Sequence, residues 1–510
     1  MKKFLFFFFL GSVSIHCQVV DTNYGTNGKL FVNIPPDQNR EYNHKTFYTS
    51  DQKTVNVGYY DTTSSSTRIY FITKYNLNGT LDGNFGTNGI LNIPSYPNNP
   101  GEITVTGSVM LNDNSIILSC AANMKAYLVK ITNNGTLDTS FGVNGFKLAD
   151  FLFTSNTLTY GDLMKDDNNQ IFVVYSSTSY TSNPAKTSTK LCKILPDGSI
   201  DTSFGNNGFS SALINRDYRF LTQKKTRIKN GKIYNFATLF YYDNNDNYTQ
   251  TDVWTCHFLD GTPDPSFGNN GYIYTPKDIN IYDYNIQEDG KILTAKYVDV
   301  SSAYSYVRGS RYLRSGAIDT SFGNGGKVES SFGQWSVHVP YKIMELDHNI
   351  YIFSSYYKSD LPVEYAATIL KYNTNGIPDA TFGVNGLFKA PANISSVADV
   401  FVNRDKGFII SVQKNTYGKL FNIKVDYEMN FLSTASAIMN PKINVYPNPV
   451  TDILYISGIK NEKFVIYNAV GQKIKTGSYN TGEGIPVQDL SKGSYWLKFE
   501  SLQAVQFIKE

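Results

Sequence analysis

The stretch Gly135-Thr-Leu-Asp138-Thr-Ser-Phe141-Gly142-Val-Asn144-Gly145 decides the fold, because the chain repeats it. Copies centre on Asp21, Asp82, Asp138, Asp201, Asp264, Asp319 and Asp379, at intervals of 61, 56, 63, 63, 55 and 60 residues. A fixed period of this size marks a repeat architecture, and it warns against reading any one copy as an active site.

The chemistry of the signature is turn chemistry. Its aspartate can accept backbone N–H bonds from residues two and three further on, as an Asx turn. The aromatic that follows is Phe85, Phe141, Phe204, Phe267, Phe322 or Phe382, with Tyr24 in the first copy. It reads as a buried anchor between adjacent sheets. Asn-Gly closes six copies, and Gly325-Gly326 replaces it in the sixth. Asn-Gly is the strongest short hairpin signal, since both positions tolerate positive φ.

Between signatures, each unit parses into four extended segments rich in β-branched and aromatic residues with period-two alternation. Examples are Gly28–Ile34 after a signature, Ile103–Met110, Asp289–Lys296 after a polar turn, and Ile69–Tyr75 or Ala367–Tyr372 before the next signature. No stretch here sustains a helical period. The last such segment, Lys419–Val425, runs into Asp426–Phe431, where the signature has decayed. If the array closes on itself, the first signature supplies the missing eighth. The expectation is an all-β chain with a seven-bladed β-propeller over 18–430, closed so that no long edge is exposed. An open solenoid is the rival.

A linker of small and polar residues, 431–442, separates this array from 443–510, where no signature occurs. Short strands are predicted at Ile443–Tyr446, Ile453–Ser457, Phe464–Asn468, Tyr495–Phe499 and Val505–Ile508. Turn signals at Val470-Gly471-Gln472 and Lys492-Gly493-Ser494 lie between them. They read as a small β-sandwich.

Residues 1–17 read as a secretory signal: Lys2 and Lys3, an apolar run from Phe4 to Leu10, and a small-polar exit to Cys17. Cleavage between Cys17 and Gln18 is expected, with lipidation of Cys17 as the rival. The run is too short to span a membrane, and no later segment approaches the length that spanning needs. Net charge is +3, or +1 once Lys2 and Lys3 are subtracted, which leaves no electrostatic footprint for nucleic acid or an anionic surface. Cys120, Cys192 and Cys256 are too few and too widely spaced for a disulfide framework and read as small buried hydrophobes.

No catalytic or cofactor-binding residue is assigned. The histidines beyond His16, namely His44, His257, His338 and His348, fall in different units without metal spacing. A phosphate loop needs a helix after its glycines, and here a strand follows. Calcium is the one metal with some support, but each signature holds a single carboxylate, and Asp243–Asn247 lacks the glycine and glutamate of a calcium loop. No Gly-x-Ser-x-Gly elbow occurs. The connections that differ between units, Asp61–Thr67, Ser176–Lys190, Asp243–Asp252 and Tyr356–Glu364, would gather on one rim. Rich in Tyr, Ser, Thr and Asn, they suit glycans or protein partners. A non-enzymatic, monomeric binding or structural scaffold is therefore expected. A hydrolase or lyase acting on extracellular polysaccharide is the alternative, and it would need carboxylates with a basic or aromatic lining in the central channel.

Two resemblances sharpen this reading. The signature at its spacing resembles the delta-60 repeat of bacterial secreted proteins over about Val20 to Asp426, with Tyr24, Asn84 and Gly325 as departures. That resemblance implies a propeller-like fold and no common catalytic residue. Residues 444–510 resemble the type A sorting domain of the type IX secretion system. The matching elements are Tyr446-Pro447-Asn448-Pro449, Asp452-Ile-Leu-Tyr455, Ile466–Gln472 with Gly471, Asp489–Tyr495 with Gly493, and the Lys509 ending. This second resemblance implies a Bacteroidota-type envelope, passage through the periplasm, engagement of the type IX machinery by 443–510, and a secreted or surface-attached product.

Overall fold

The computed structural model describes Val19 to Glu510 except residues 21–23, 27, 33–39, 62–67, 97–102, 123–124, 150–160, 180–185, 211–219, 243–247, 277–280, 302–303, 331–335, 360–362, 391–393, 404–406, 415–419, 427–443, 458–460, 469–471 and 500–504. The signal segment with Cys17 and Gln18, Asp21 and Gly471 therefore lie outside the described residues, as do Asp243–Asn247 and parts of the other variable connections; residues 176–179, 186–190, 248–252 and 356–358, expected in connections, are strand instead. Every described element is a strand, turn or bend, and no helix occurs among the described residues. The chain divides into two compact units, Val20–Glu428 and a C-terminal one from Met429.

In the first unit the described strands form seven antiparallel sheets in chain order. A representative sheet runs Thr104–Met110, Ile116–Ala122, Lys125–Ile131, Phe146–Leu148, each strand paired with the one before. The signature lies between its third and fourth strands. Each sheet thus straddles a signature, offset by one strand from the sequence unit. The cause is the Asn-Gly reversal: Asn144 takes φ 52° and Gly145 φ 87°, and the chain folds straight back so that Phe146 pairs with Val129. Among the described residues the third sheet has three strands, and Cys192 forms a bridge with Phe209 where a fourth would follow.

Closure is resolved at the seventh sheet. Lys29–Phe31, launched by the first signature, pairs antiparallel with Leu420–Asp426, matching Lys29 to Ile423 and Leu30 to Asn422. The first signature thus takes the place expected of an eighth. Successive sheets touch in chain order, and Ile394–Asn403 of the seventh packs on Arg40–Tyr48 of the first. That joint is hydrogen-bonded: Thr46 and Ser411 share a 2.6 Å bond, and Asn422 donates to Asn56 at 3.2 Å.

The signatures hold neighbouring sheets together. Phe85, Phe141, Phe204, Phe267, Phe322, Phe382 and Tyr24 are all 4% exposed or less, which makes them anchors rather than platforms. Burial of each aromatic stabilises by about 1.5–3 kcal/mol. The glycine after the aromatic donates its N–H to the next copy's turn, as in Gly86 to Asn134 at 2.8 Å and Gly323 to Asn375 at 2.8 Å. Gly198 shows why that turn needs glycine: its φ is +84°, and a Cβ there would come within 2.5 Å of the Phe141 ring.

The C-terminal unit contains a three-stranded and a four-stranded sheet that share one core including Val450, Leu454, Phe464, Ile466, Leu497 and Phe507. Two of its strands, Lys473–Tyr479 and Ile485–Pro486, escape the sequence pattern. The first is a lysine-bearing edge strand exposed along most of its length, as edges that avoid aggregation tend to be.

The signature aspartates give the fold an acid limit. Asp264 and Asp319 are held down at about 2, despite burial pulling the other way, by Lys232 and Ser266 and by Ser321 and Arg311 respectively. A carboxyl held below its unfolded value adds stability that is complete above about pH 4 and lost as pH falls towards 2. Asp319→Asn is expected to remove on the order of 2 kcal/mol at pH 7 and almost nothing at pH 2. Urea denaturation at both pH values measures this, and an equal loss at both would contradict it.

Candidate functional site: a charged ring on the leading strands

The first strand of each sheet leads, and leading strands of successive sheets lie against one another at most junctions. Six of the seven carry a register shift: Asn43/Lys45, Val105/Gly107, Gln223/Lys225, Ile281/Asp283, Pro340/Lys342 and Val397/Asp399. A bulge adds one residue and re-aims the side chains that follow. The residue directly after each shift occupies an equivalent place, four residues before the turn into the second strand. With Asp162 from the third sheet, the set is Lys45, Gly107, Asp162, Lys225, Asp283, Lys342 and Asp399.

Read around the sheets from Lys45, the signs run plus, none, minus, plus, minus, plus, minus. Opposite charges attract and like neighbours repel, so alternation is the low-energy arrangement. Seven is odd, however, so two like charges would have to meet unless one place were neutral. Gly107 is that place.

Electrostatics confirm that these groups face one interior. The proton affinity of Asp162 is raised by burial, with Lys45 as the leading charge opposing that rise and Lys225 and Arg227 also acting on it. Lys342 is pushed down to about 8 by burial, against the attraction of Asp399 and with repulsion from Arg227, Lys45 and Lys225.

Two of the carboxylates are structural ties. Asp283, fully buried, accepts from Lys225 at 2.8 Å, from Arg227 at 2.7 Å and from the Ile343 N–H of the next leading strand at 2.9 Å. Asp399 accepts the N–H of Thr46 at 2.8 Å and that of Val400 at 2.8 Å. Both ties run from a ring aspartate to the residue after the next ring lysine, so they lock one sheet to the following one. Lys342 donates to the Val400 carbonyl. Asp162 keeps part of its surface accessible and Lys45 is exposed, so solvent reaches the ring.

The histidines offer no matching base. His44, beside the ring, is lowered to about 4 by burial and then by Lys45. His257 and His338, both buried, fall to about 4 and about 3, chiefly through burial. His257 packs edge-on against Tyr272. The three cysteines are buried and unpaired with one another, and burial pushes the Cys120 thiol up to about 12.

The signature aspartates turn outward from this ring to other duties. Oδ1 of Asp138, Asp201, Asp264 and Asp319 accepts the N–H and hydroxyl of the serine two residues on; Asp379 does the same with Thr381, and Asp82 accepts the Asn84 N–H at Oδ1 and the Lys53 ammonium at Oδ2. Oδ2 takes a cation eight residues earlier: Lys130 at 2.8 Å, Lys193 at 3.2 Å, Arg311 at 2.8 Å and Lys371 at 2.7 Å. Cys256 occupies that place in the fifth copy, and Lys232 at 2.7 Å and Arg314 at 3.1 Å reach Asp264 instead. Sequence reading missed this cation, although lysine or arginine recurs at that offset. Among the described residues no three His, Cys, Asp or Glu side chains gather as a metal would require.

Tyrosine pairs, one stacked and two tilted, lie near the connections between second and third strands. Tyr42 and Tyr59 lie 4.7 Å apart with Arg68 over Tyr59 at 5.0 Å, Tyr282 and Tyr297 are 5.5 Å apart, and Tyr357 and Tyr365 4.7 Å. The first and third pairs lie beside the variable connections Asp61–Thr67 and Tyr356–Glu364.

In the C-terminal unit, the Tyr446–Pro449 stretch is stitched to the last strand. Asn448 accepts the Ile508 N–H at 2.8 Å and donates to the Gln506 carbonyl at 3.3 Å. Tyr446 stays half exposed, stacked on Tyr455, and Asp452 is exposed. Gly493 pairs with the buried Lys509. Residues 444–509 match the family described as the secretion system C-terminal sorting domain. The chain carries a C-terminal sorting domain. It indicates export by type IX secretion to the cell surface or beyond, and implies contact with that machinery.

No curated protein matches the chain in sequence. Solved structures similar to it include the β-propeller domain of the Trilobed protease from Pyrococcus furiosus, at 10% identity and TM-score 0.39 over 78% of this chain and 96% of that one. Drosophila Plexin A, in complex with Semaphorin 1b, gives 8% and 0.38 over 78% and 86%. Pyrococcus horikoshii acylaminoacyl peptidase gives 10% and 0.40 over 81% and 57%.

The ties at Asp283 predict a specific sensitivity. Asp283→Asn leaves Lys225 and Arg227 without their counter-charge, and breaking one side of a buried pair costs about 3–5 kcal/mol. Guanidinium denaturation of the variant is the measurement, and a midpoint equal to that of the parent would refute the role.

Proposed function

We propose that the chain is a seven-bladed β-propeller followed by a β-sandwich sorting domain, exported by type IX secretion to serve as a non-enzymatic binding or structural scaffold. The antiparallel pairing of Lys29–Phe31 with Leu420–Asp426 supports a closed ring of seven. One observation carries the non-enzymatic reading: Asp283 and Asp399 in the ring are occupied by backbone N–H groups of the next sheet. A carboxylate held in that way fixes geometry and is poorly placed to exchange protons with a substrate. Binding is then assigned to the rim, where the tyrosine pairs present rigid amphipathic surfaces of the kind that pack on sugar rings or partner side chains.

A second reading has its own support. Asp162 has a raised proton affinity and reachable surface, and it lies among basic groups, the lining that a polysaccharide hydrolase or lyase would need. The secreted full-length protein, screened against glycans and surface proteins with turnover followed in parallel, separates the two. Binding without products is expected. Product formation abolished by Asp162→Asn would sink the scaffold reading.

Export has an independent check. Deleting residues 443–510 is expected to leave the protein in the periplasm, as read by cell fractionation, and normal surface delivery of the truncation would refute the assignment.

A further inference from the structure

The sorting unit presents a sheet face that its core does not use. Its four-stranded sheet runs Lys473–Tyr479, Glu462–Asn468, Gly493–Phe499, Val505–Lys509, antiparallel throughout. Alternation along the strands sends Phe464, Ile466, Leu497, Phe499 and Phe507 into the core. The residues between them face the other way, and on an antiparallel sheet with one solvated side that face is ordinarily polar. Here an apolar band crosses it. Tyr467 pairs directly with Trp496, Val465 lies two residues before Tyr467, and Ile508 stands diagonal to Trp496 on the last strand. Trp496 is 36% exposed and Ile508 45%. Charge on this face has one sign. Lys473 pairs with Tyr467, Lys498 pairs with Val465, and Lys463 lies two residues before Val465. All three lysines are exposed, and among the described residues none forms an ion pair. Their face holds no carboxylate among those residues, since its remaining cross-strand partners are Ser478, Thr476 and Gln506. Lys475, which does pair with Asp489 at 2.8 Å, stands opposite the core residue Ile466 instead. The small net charge of the whole chain, read as leaving no footprint for an anionic surface, conceals this segregation.

We propose that this face docks on an anionic phospholipid bilayer, with Trp496 and Tyr467 at headgroup level and the three lysines over the phosphates. Tryptophan and tyrosine suit such a boundary, because each ring has an apolar body and a polar handle. A lysine ammonium is a compact point charge, drawn to diffuse phosphate charge without needing one fixed partner. An acidic protein surface is the competing occupant. Protein interfaces are enriched in arginine and depleted in lysine, yet residues 443–510 contain no arginine. The composition of the face therefore fits lipid better than protein. Docking of this kind would hold the address unit at a membrane while the machinery is found. The inference concerns the sorting unit alone, so it stands or falls separately from the scaffold reading.

The experiment mixes the full-length protein with vesicles of phosphatidylcholine alone, or of phosphatidylcholine and phosphatidylglycerol in equal parts, and reads binding by flotation. Binding to the anionic vesicles is expected to be at least about tenfold tighter, and to weaken as salt is raised. Lys463→Gln, Lys473→Gln and Lys498→Gln should each weaken it by about fivefold, and Trp496→Ser by about tenfold. Thermal melts establish that each variant is folded, and the exposed lysine variants decide the matter if Trp496→Ser does not fold. Equal binding to both vesicle types, or binding to neither, overturns the proposal. So does anionic binding unaffected by the three lysine substitutions. Capture of an immobilised polyglutamate peptide in place of the anionic vesicles also overturns it, and would assign the face to an acidic protein.

Discussion

The architecture depends on one antiparallel pairing, that of Lys29–Phe31 with Leu420–Asp426. Val19–Val20 pairs with the same strand, and every other described ladder in the first unit joins strands close in sequence. The Lys29–Phe31 ladder joins residues 394 apart, from Lys29 to Ile423. Without it the seventh sheet would lose the strand that the first signature launches. The contacts between Thr46 and Asp399, Thr46 and Ser411, and Asn56 and Asn422 could not form. The charged ring, which draws on six of the seven sheets, would lose its geometry as well. Local turn chemistry makes the sheets, and pairings between the start of the chain and Leu420–Asp426 join the first stretch to the last.

The division of labour inside each sheet follows from that geometry. Signature turns lie where third strands reverse into fourth strands, and they link one sheet to the next through buried aromatics and glycine N–H groups. Ring residues lie on leading strands, where bulges re-aim them. Each layer therefore has its own electrostatics. At the signatures every described aspartate has a cation within 4.0 Å. In the ring, Lys225 and Asp283 form an ion pair, while Lys342 and Asp399 are held by backbone groups.

Much of this was legible in the residues. The period, the hairpin signal of Asn144-Gly145, the buried aromatics and the substitution of a first signature for a missing eighth all rest on local chemistry that sequence displays. The C-terminal sorting domain was legible by resemblance and not from local chemistry, and the family match over residues 444–509 agrees with it. The ring was not. Lys45, Asp162, Lys225, Asp283, Lys342 and Asp399 lie in unlike surroundings, and an alternating strand pattern gives the wrong face for any residue beyond an unrecognised bulge. His44, Tyr282 and Tyr341 each occupy the extra place in such a shift. Charge alternation among distant strands becomes visible only once register is known. The cation partner of each signature aspartate was within reach, since it recurs eight residues earlier, but Cys256 interrupts the pattern in one copy.

The closing pairing also sets an order of events. A strand near the start of the chain must wait for a partner made almost four hundred residues later. Long-range pairing of this kind is slow, because chain entropy is lost before the contact rewards it. During synthesis the sheets can form one by one while the closing pairing is still unmade. The last propeller strand, Leu420–Asp426, precedes the sorting unit in the chain, so the ring is sealed by the segment that emerges just ahead of the address label. A chain cut short before that strand has neither a sealed ring nor a label, so unfinished products are left out of export by the order of the sequence itself.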